Sequence, residues 1–406
     1  LSIDTPIVDL YRKKSISVAW WGRSVVFDLP MDVFSSFQLD TGTGLLLRTI
    51  IDARPQWSRA LDLGCGYGPI SLCLSVLGLA ERIDAIDRDA LAVLFTAWNA
   101  QQNGVTNVAV RGGLDYASCP AGGYDAVVAN LPAKAGEPVH RQMLYGAADH
   151  LAPCGEVWIV VVRPLEESID GILSHPAVRV RDKVQKAEHV VYRYAFQGRP
   201  EMPQAPYRRG IERFSWGEQE YAIAAAWGLP EFDTRSFATD LVLRDCEGLG
   251  CGSALRRALV WNPGQGHIPV LLARMAASPD WLTIASRDLL ALATTRSNLE
   301  KNGYAGPILE YHTAGLAAVP ADDGPELVIG TLNEGEGLAV CRENLLRAAA
   351  RYAGVPMLLG CSSSLGSRLV PALRKAGLEA RVQTRRKGFG SLFCRSTSGK
   401  FAEKIE

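Results

Sequence analysis

The sequence predicts an α/β protein built twice: two tandem Rossmann-like domains, each a mostly parallel sheet closed by an antiparallel hairpin. Three observations predict it. Short Val/Ile/Leu/Ala runs alternate with helical stretches in both halves, the pattern of βα units covering a sheet on both faces. The 406 residues exceed what one ordinary core takes, so two domains are the prior. The halves also repeat. "RALDLGCGYGPISLCLS" (59–75) resembles "RALVWNPGQGHIPVLLA" (257–273), and "RIDAIDRDALAVLFTAWNAQQNG" (82–104) resembles "WLTIASRDLLALATTRSNLEKNG" (281–303). "YDAVVANLPA" (124–133) is placed like "PELVIGTLNE" (325–334), and the offset stays near 198 to 201 throughout. Three matched blocks at one offset indicate tandem duplication.

The elements of the first copy follow in order. Ala60–Leu63 reads as a strand, Pro69–Leu79 as a helix, Arg82–Ile86 as a strand and Ala90–Asn103 as a helix. Val108–Arg111 and Asp125–Ala129 are strands, His140–Leu151 a helix and Glu156–Val162 a strand. "HPAVRVRDKV" followed by the alternating "KAEHVVYRYAF" gives a closing hairpin, and "ARVQTRRKGFGSLFCRS" ends the second copy in the same way. Between the copies, "FQGRPEMPQAPYRRGIERF" carries three prolines and six charges and reads as an exposed linker. The expected division is therefore a first domain over 1–197, a linker over 198–213 and a second domain over 214–406.

Bulk composition excludes several classes. With 48% hydrophobic and 21% charged residues, and 43 Lys+Arg against 43 Asp+Glu, the chain is an ordinary globular one without the strong positive charge of a nucleic-acid coat. Nine cysteines form no CxxC pair and no Cys/His cluster of zinc-ligand spacing, so no metal site is expected. An odd, scattered set of thiols suits a reducing, cytoplasmic setting. The opening "LSIDTPIVDLYRKK" has no apolar signal-peptide run, and no run of about 18 apolar residues occurs. The chain starts on Leu, as a trimmed or partial sequence would.

The chemistry concentrates in the first copy. "LDLGCGYG" (61–68) follows a strand and opens a helix. Gly64, Gly66 and Gly68 let the backbone turn tightly and approach a ligand, and the helix N-terminus favours a carboxylate. A dinucleotide fold wants GxGxxG; this is DxGxGxG, with Asp62 on the strand. An acid there suits a ligand with an amino group, which S-adenosylmethionine (SAM) has. Asp87 ends the next strand and can accept both ribose hydroxyls, while Asp89 reads as a helix cap. In "RGGLDYAS", Asp115 and its backbone are candidates for the adenine. The SAM set is thus Asp62, Gly64, Cys65, Gly66, Gly68, Asp87 and Asp115, with Thr41 and Asn130 also counted as cofactor contacts.

"VVANLPAKAGE" (127–137) ends a strand on Asn130, and Leu131-Pro132 follow. Methylating an exocyclic amine requires its lone pair to be freed from conjugation and aimed at the methyl carbon. The Asn130 side-chain oxygen and the Leu131 carbonyl can each accept one N–H, holding the amine as it becomes tetrahedral. Pro132 fixes the loop. An aromatic usually follows to stack on the target ring; here Ala133 stands instead, and Trp20, Trp21 or Phe37 are the candidate replacements. Lys134 and His140 can contact a phosphate or simply sit in solvent and at a helix start. Arg199, Arg208, Arg209 and Arg213, with Arg381, Arg385, Arg386 and Lys387, are either phosphate contacts or solvated charge.

These residues resemble the small-domain class I methyltransferases that modify guanine N2 in ribosomal RNA. "VFDLPMDVFSSFQLDTGTGLLLRTI" (26–50) is similar to that family's leading segment, a Phe-Ser stretch followed by Leu-Asp-x-Gly-Thr/Ser. The closing hairpin also fits the methyltransferase sheet rather than the dehydrogenase one. The resemblance implies SAM as cofactor, Asn130 as the catalytic residue with Leu131 and Pro132, and Phe37, Asp40, Thr41 and Gly42 at the pocket mouth, Thr41 facing the cofactor. It also implies paired halves of which one is active. Here that half comes first, because the second has Val260 for Asp62, Asn262 for Gly64, Ser286 for Asp87 and Thr331 for Asn130. The family's Asn-Pro-Pro-Phe is Asn-Leu-Pro-Ala here. The expected function is a SAM-dependent N-methyltransferase acting on RNA, and the resemblance points to ribosomal RNA. A methyltransferase of a protein side chain or small molecule, and a non-catalytic SAM-binding RNA-assembly factor, are the alternatives.

Overall fold

The computed structural model describes residues 5–34, 37–249, 255–275, 279–320 and 324–396. The chain forms two compact units, residues 1–207 and 208–406. The second unit begins earlier than its sequence suggests. Residues 208–213, expected in the linker, form the first part of strand β10 (Arg208–Trp216). Arg208, Arg209, Glu212 and Arg213 are all exposed along this strand, so the segment is polar without being a loop.

The first unit opens with helix α1 (Thr5–Tyr11) and a hairpin of β1 (Arg12–Trp20) and β2 (Arg23–Pro30). There follow α2 (Thr41–Ala53), β3 (Trp57–Leu63), α3 (Pro69–Val76), β4 (Ala80–Asp87), α4 (Ala90–Gln102), β5 (Val108–Gly112) and β6 (Tyr124–Asn130). Helix α5 (Glu137–Gly146), β7 (Leu151–Val162), α6 (Glu166–Leu173), β8 (Val178–Gln185) and β9 (His189–Phe196) complete it. Helix α5 starts three residues before its predicted position, because Gly136 at φ +88° turns the chain and Pro138 occupies the first turn, where its missing N–H has no cost.

The sheet order is β5-β4-β3-β6-β7-β9-β8, parallel up to β7, with β9 antiparallel to both β7 and β8. Central strands carry near-continuous apolar runs because helices cover both faces; Ala60 and Leu61 on β3 and Ala126 and Val128 on β6 are all fully buried. Strand order reverses between β3 and β6, which are direct neighbours. The crevice at their C-terminal ends is where such sheets bind ligands. Buried Asp84, in the middle of β4, accepts from Arg59 Nη2 (2.6 Å), the Tyr124 hydroxyl (2.9 Å) and Arg111, so its charge is fully partnered.

The second unit repeats the plan. Hairpin β10–β11 (Gln219–Ala226) precedes α7 (Phe237–Gly248), β12 (Arg257–Trp261), α8 (His267–Met275), β13 (Trp281–Ser286), α9 (Leu289–Lys301) and β14 (Ile308–His312). Then come β15 (Leu327–Thr331), α10 (Gly337–Arg351), β16 (Met357–Ser362), α11 (Ser363–Lys375), β17 (Leu378–Arg386) and β18 (Phe389–Ser396). Its sheet order is β14-β13-β12-β15-β16-β18-β17, the same permutation.

The shared asparagine spacing has a physical basis. Asn99 on α4 accepts from Asp28 N (2.9 Å) and donates to Asp28 O (3.1 Å) and Tyr67 O (2.8 Å), while Asn103 does the same with Val26 N and O. In the second unit Asn298 bonds Ala224 N and O and Gln265 O, and Asn302 bonds Ala222 N and O. One amide side chain mimics a backbone unit and docks the hairpin onto the helix, satisfying groups that burial would otherwise orphan.

Candidate functional site

The loop from Leu63 to Gly68 is held from beneath. Gly64 N (2.8 Å) and Cys65 N (3.0 Å) both donate to Ile86 O, and Gly66 N donates to Asp87 Oδ2 (2.9 Å). Gly64 and Gly66 adopt φ +82° and +58°, and nothing lies within 4 Å of where a Cβ would stand on either. Glycine is therefore required there by backbone conformation, and the space above the loop is open. Gly68 (φ +93°) is also crowded, since a Cβ would meet Leu72 Cδ1 at 2.9 Å. Cys65 turns its thiol inward, where burial pushes its pKa well up. Its side chain thus lines the protein rather than the crevice.

Asp62 is wholly buried at the end of β3. Its Oδ2 accepts from Ser71 N (3.0 Å) and Ser71 Oγ (2.5 Å), while Oδ1 has no protein partner. Burial raises its pKa to about 7. Asp87, at the end of β4, accepts from Asp89 N (2.9 Å) as well as from Gly66, and burial raises its pKa to about 6. Asp89 caps α4 through Leu91 N (2.8 Å). Asp115 (φ +48°) accepts from the Tyr207 hydroxyl at 2.5 Å, and burial raises its pKa.

Asn130 ends β6, next to the glycine loop. Its Nδ2 donates to Asp40 Oδ2 and to Thr43 Oγ1, both at 3.0 Å. Asp40 caps α2, accepting from Thr43 N at 2.8 Å. Leu131 is buried, its N–H donating to Val160 O (3.0 Å), whereas Pro132, Ala133 and Lys134 are exposed. His140 is buried and its Nε2 donates to Pro132 O (2.9 Å), so it anchors the loop from inside rather than meeting a ligand. Of the candidate aromatics, Trp20 is in the core, Trp21 is 58% exposed at the hairpin tip, and Phe37 is 64% exposed with Lys13 Nζ 3.1 Å over its ring. Thr41 is exposed on the first turn of α2. Ser35 and Ser36 of the leading segment lie outside the described residues.

Residues 25–193 match the family model described as "Methyltransferase small domain". YbxB of Bacillus subtilis, an uncharacterised protein, is 31% identical over 171 residues, a segment that is 40% of this chain and 85% of that one. The chain belongs to the methyltransferase small domain family. Its first unit is the family's domain, and the enzyme class is methyltransferase. Ribosomal RNA small subunit methyltransferase C of Chromohalobacter salexigens is 37% identical over 141 residues, 33% of this chain and 39% of that one. The matched segment thus spans under half the length of that relative. Over the whole chain, the T. thermophilus 16S rRNA N2 methyltransferase RsmC, solved in complex with AdoMet and guanosine, superposes with a TM-score of 0.68, covering 96% of this chain and 99% of that one. At 19% identity, that likeness is one of fold.

The second small-domain-like unit has the same positions filled differently. Val260 replaces Asp62, and Pro269 stands where Ser71 does, so the acceptor and its N–H donor are lost together. Asn262 (φ +50°) takes the place of Gly64, and its Nδ2 donates to Thr331 O (3.2 Å), where Thr331 replaces Asn130. Side chains close the gap that glycine leaves open in the first unit. Ser286 keeps only the local turn, accepting from Asp288 N at 3.1 Å as Asp87 does from Asp89. Arg287 and Glu336, both almost fully buried, pair at 3.2 Å beside it.

Sequence reasoning missed Thr43 and Ser71 as site residues. Thr43 stands at the third helical position after the Asp40 cap, a spacing that puts cap and side chain on one turn. Ser71 is the third residue of α3, where its N–H is free to meet an acid on the preceding strand.

Proposed function

We propose that the first unit transfers a methyl group from SAM to an exocyclic amine of a base in RNA, with small-subunit ribosomal RNA as the substrate class. The observation that carries the reading is Asn130: its Nδ2 is committed to Asp40 and Thr43, which leaves its carbonyl oxygen as the functional end. An acceptor at the C-terminal end of β6, beside an open glycine loop, is what an amine nucleophile needs.

The residues fit SAM. The buried Asp62 Oδ1 lacks a donor, and the ligand's ammonium, directly or through water, supplies one. In this reading Asp87 takes the ribose hydroxyls, Asp115 meets the adenine and Thr41 stands at the mouth, and the bare Gly64–Gly66 turn gives the ligand room. When bound, SAM supplies a methyl carbon on a positively charged sulfur that leaves as a neutral thioether. Asn130 Oδ1 and the Leu131 carbonyl each hold one amine hydrogen and turn the lone pair toward that carbon; Pro132 keeps the two acceptors in register. The amine loses its extra proton after transfer, so no general base is required of the protein. Phe37, exposed three residues before Asp40, offers the ring that Ala133 lacks.

The RNA assignment draws on the ribosomal RNA methyltransferase relatives and on an exposed Pro132–Lys134 loop that can admit a base. The second unit, with its cleft closed by Asn262 and Thr331, serves substrate binding or stability rather than SAM binding. The test is methyl transfer from labelled SAM to small ribosomal subunits isolated from a strain lacking the gene, read by nucleoside mass spectrometry. A new N-methylated base is expected; label in a protein or a small metabolite instead would reassign the substrate.

A further inference from the structure

The Leu-Asp-x-Gly-Thr signature (39–43) holds the residue on which the proposed function rests. Asp40 Oδ2 accepts from Asn130 Nδ2 (3.0 Å) and Thr43 N (2.8 Å), and Thr43 Oγ1 accepts from Asn130 Nδ2 (3.0 Å) while donating to Asp40 (3.3 Å). The three side chains form a closed ring. An Asn amide has two N–H donors and both are used; a carboxylate accepts only, so the end that faces Asp40 must be the nitrogen. The oxygen is thereby fixed on the opposite side.

Gly42 makes the ring possible. A Cβ on Gly42 would lie 2.6 Å from His189 Cδ2, 2.9 Å from His189 Nε2 and 3.0 Å from Asp40 Oδ2. The φ of Gly42 is not in the left-handed region, so the glycine is there for clearance and not for backbone freedom. The first turn of α2 therefore approaches β9 closely enough to bring the cap carboxylate to Asn130.

We infer that Asp40 and Thr43 are positioning residues that lock the Asn130 amide with Oδ1 presented to the target amine, with Gly42 supplying the clearance. The inference rests on the proposed amine methylation for its consequence, but the lock itself is a property of the free protein. An amide free to rotate presents a donor half the time, and a donor repels the amine hydrogens it should accept. Preorganising the acceptor removes that reorganisation from the reaction.

Asp40→Ser separates the lock from the helix cap. Serine caps as well as aspartate but is too short to reach Asn130. Thr43→Val removes the second acceptor at nearly constant shape. Two readouts are used on the full chain. The first is the side-chain amide signal of Asn130, followed by NMR with asparagine-selective labelling and assigned by its loss in Asn130→Ala. In the wild type its two protons are expected to be protected from exchange with solvent; in Asp40→Ser, they are expected to exchange with solvent as fast as an exposed amide. The second is turnover on small-subunit RNA. Asp40→Ser and Thr43→Val are expected to lower kcat on the order of 10- to 100-fold with KM for RNA, SAM affinity and melting temperature near wild type. The double variant Asp40→Ser/Asn130→Ala is expected to be no slower than Asn130→Ala alone, because the two act as one unit. A freely exchanging Asn130 amide in the wild type overturns the lock whatever the substrate. So does unchanged kcat in Asp40→Ser, or losses that multiply in the double variant. An intact lock by NMR in a protein that leaves RNA unmethylated overturns the substrate reading and not the lock.

Discussion

Asn130 and Asp40, ninety positions apart in sequence, meet at 3.0 Å across the mouth of the crevice. The contact joins the cap of α2 to the end of β6, and it ties a segment that precedes the sheet to the loop proposed to do the chemistry. Gly42 lies under it. Replacing Gly42 by Ala forces either His189 or the Asp40 carboxylate to move. Turnover of Gly42→Ala is expected to fall by roughly 10-fold or more, with SAM affinity within about threefold of wild type by calorimetry. Equal loss of both would mean that the whole unit, and not the contact, is disturbed.

Asp87 carries two backbone bonds and, in the proposed function, takes the ribose hydroxyls. Asp87→Ala is expected to weaken SAM binding roughly 10- to 100-fold, the scale of hydrogen bonds to a charged group. Ser286→Ala, at the matching position of the second unit, is expected to leave SAM affinity unchanged. Calorimetry on both variants checks the asymmetry of the two copies.

The buried acids give a pH signature. Unfolded carboxylates ionise near pH 4, whereas Asp62 and Asp87 hold their protons to about 7 and about 6 in the folded chain. Between those limits the folded state binds more protons than the unfolded one, so these groups favour folding most at low pH and that contribution declines as pH rises to about 7. A cationic ligand needs the ionised form, so SAM affinity is expected to strengthen from about pH 5.5 to about pH 7.5. Asp62→Asn is expected to flatten the upper part of that rise. Calorimetry across the range checks it; affinity independent of pH in the wild type would remove the two acids from ligand binding.

The paired asparagines predict paired stability losses. Asn99→Ala strands the Asp28 and Tyr67 backbone groups and is expected to destabilise the first unit by about 2–3 kcal/mol. Asn298→Ala is expected to do the same to the second. Denaturant unfolding, followed by hydrogen exchange in each hairpin, shows whether each loss stays within its own unit.

Phe37 is exposed, and Ala133 offers no ring to the target base. Phe37→Ala is expected to raise KM for RNA by roughly 5- to 50-fold, the scale of one base–aromatic stack, with SAM affinity intact. Unaltered KM would leave the target base without an aromatic partner on this segment.

Much of this was legible in the residues. The glycine positions, Asp62 and Asp87 declare themselves because backbone turns and strand-end acids are local features, and the duplicated spacing revealed two units before any contact was known. What stayed hidden was long-range. Thr41 stands out beside the signature, but it is Thr43 that reaches Asn130, because the helix begun at Asp40 rotates the third residue inward. Asn99 and Asn298 repeat at one spacing, yet their docking role appears only when the hairpin lies against them. The linker boundary was misplaced because an exposed, charged strand and a charged loop have the same composition; only the pairing of Arg208 to Trp216 with Gln219 to Ala226 distinguishes them.

The central claim is that the first unit methylates a base amine of RNA through Asn130. It is tested most directly by comparing wild type and Asn130→Ala on small ribosomal subunits from the deletion strain, with labelled SAM and nucleoside mass spectrometry. The account predicts one N-methylated base with the wild type, and on the order of 100- to 1,000-fold slower formation with Asn130→Ala at unchanged SAM affinity. Equal rates for the two proteins, or no methylated base with either, would contradict it.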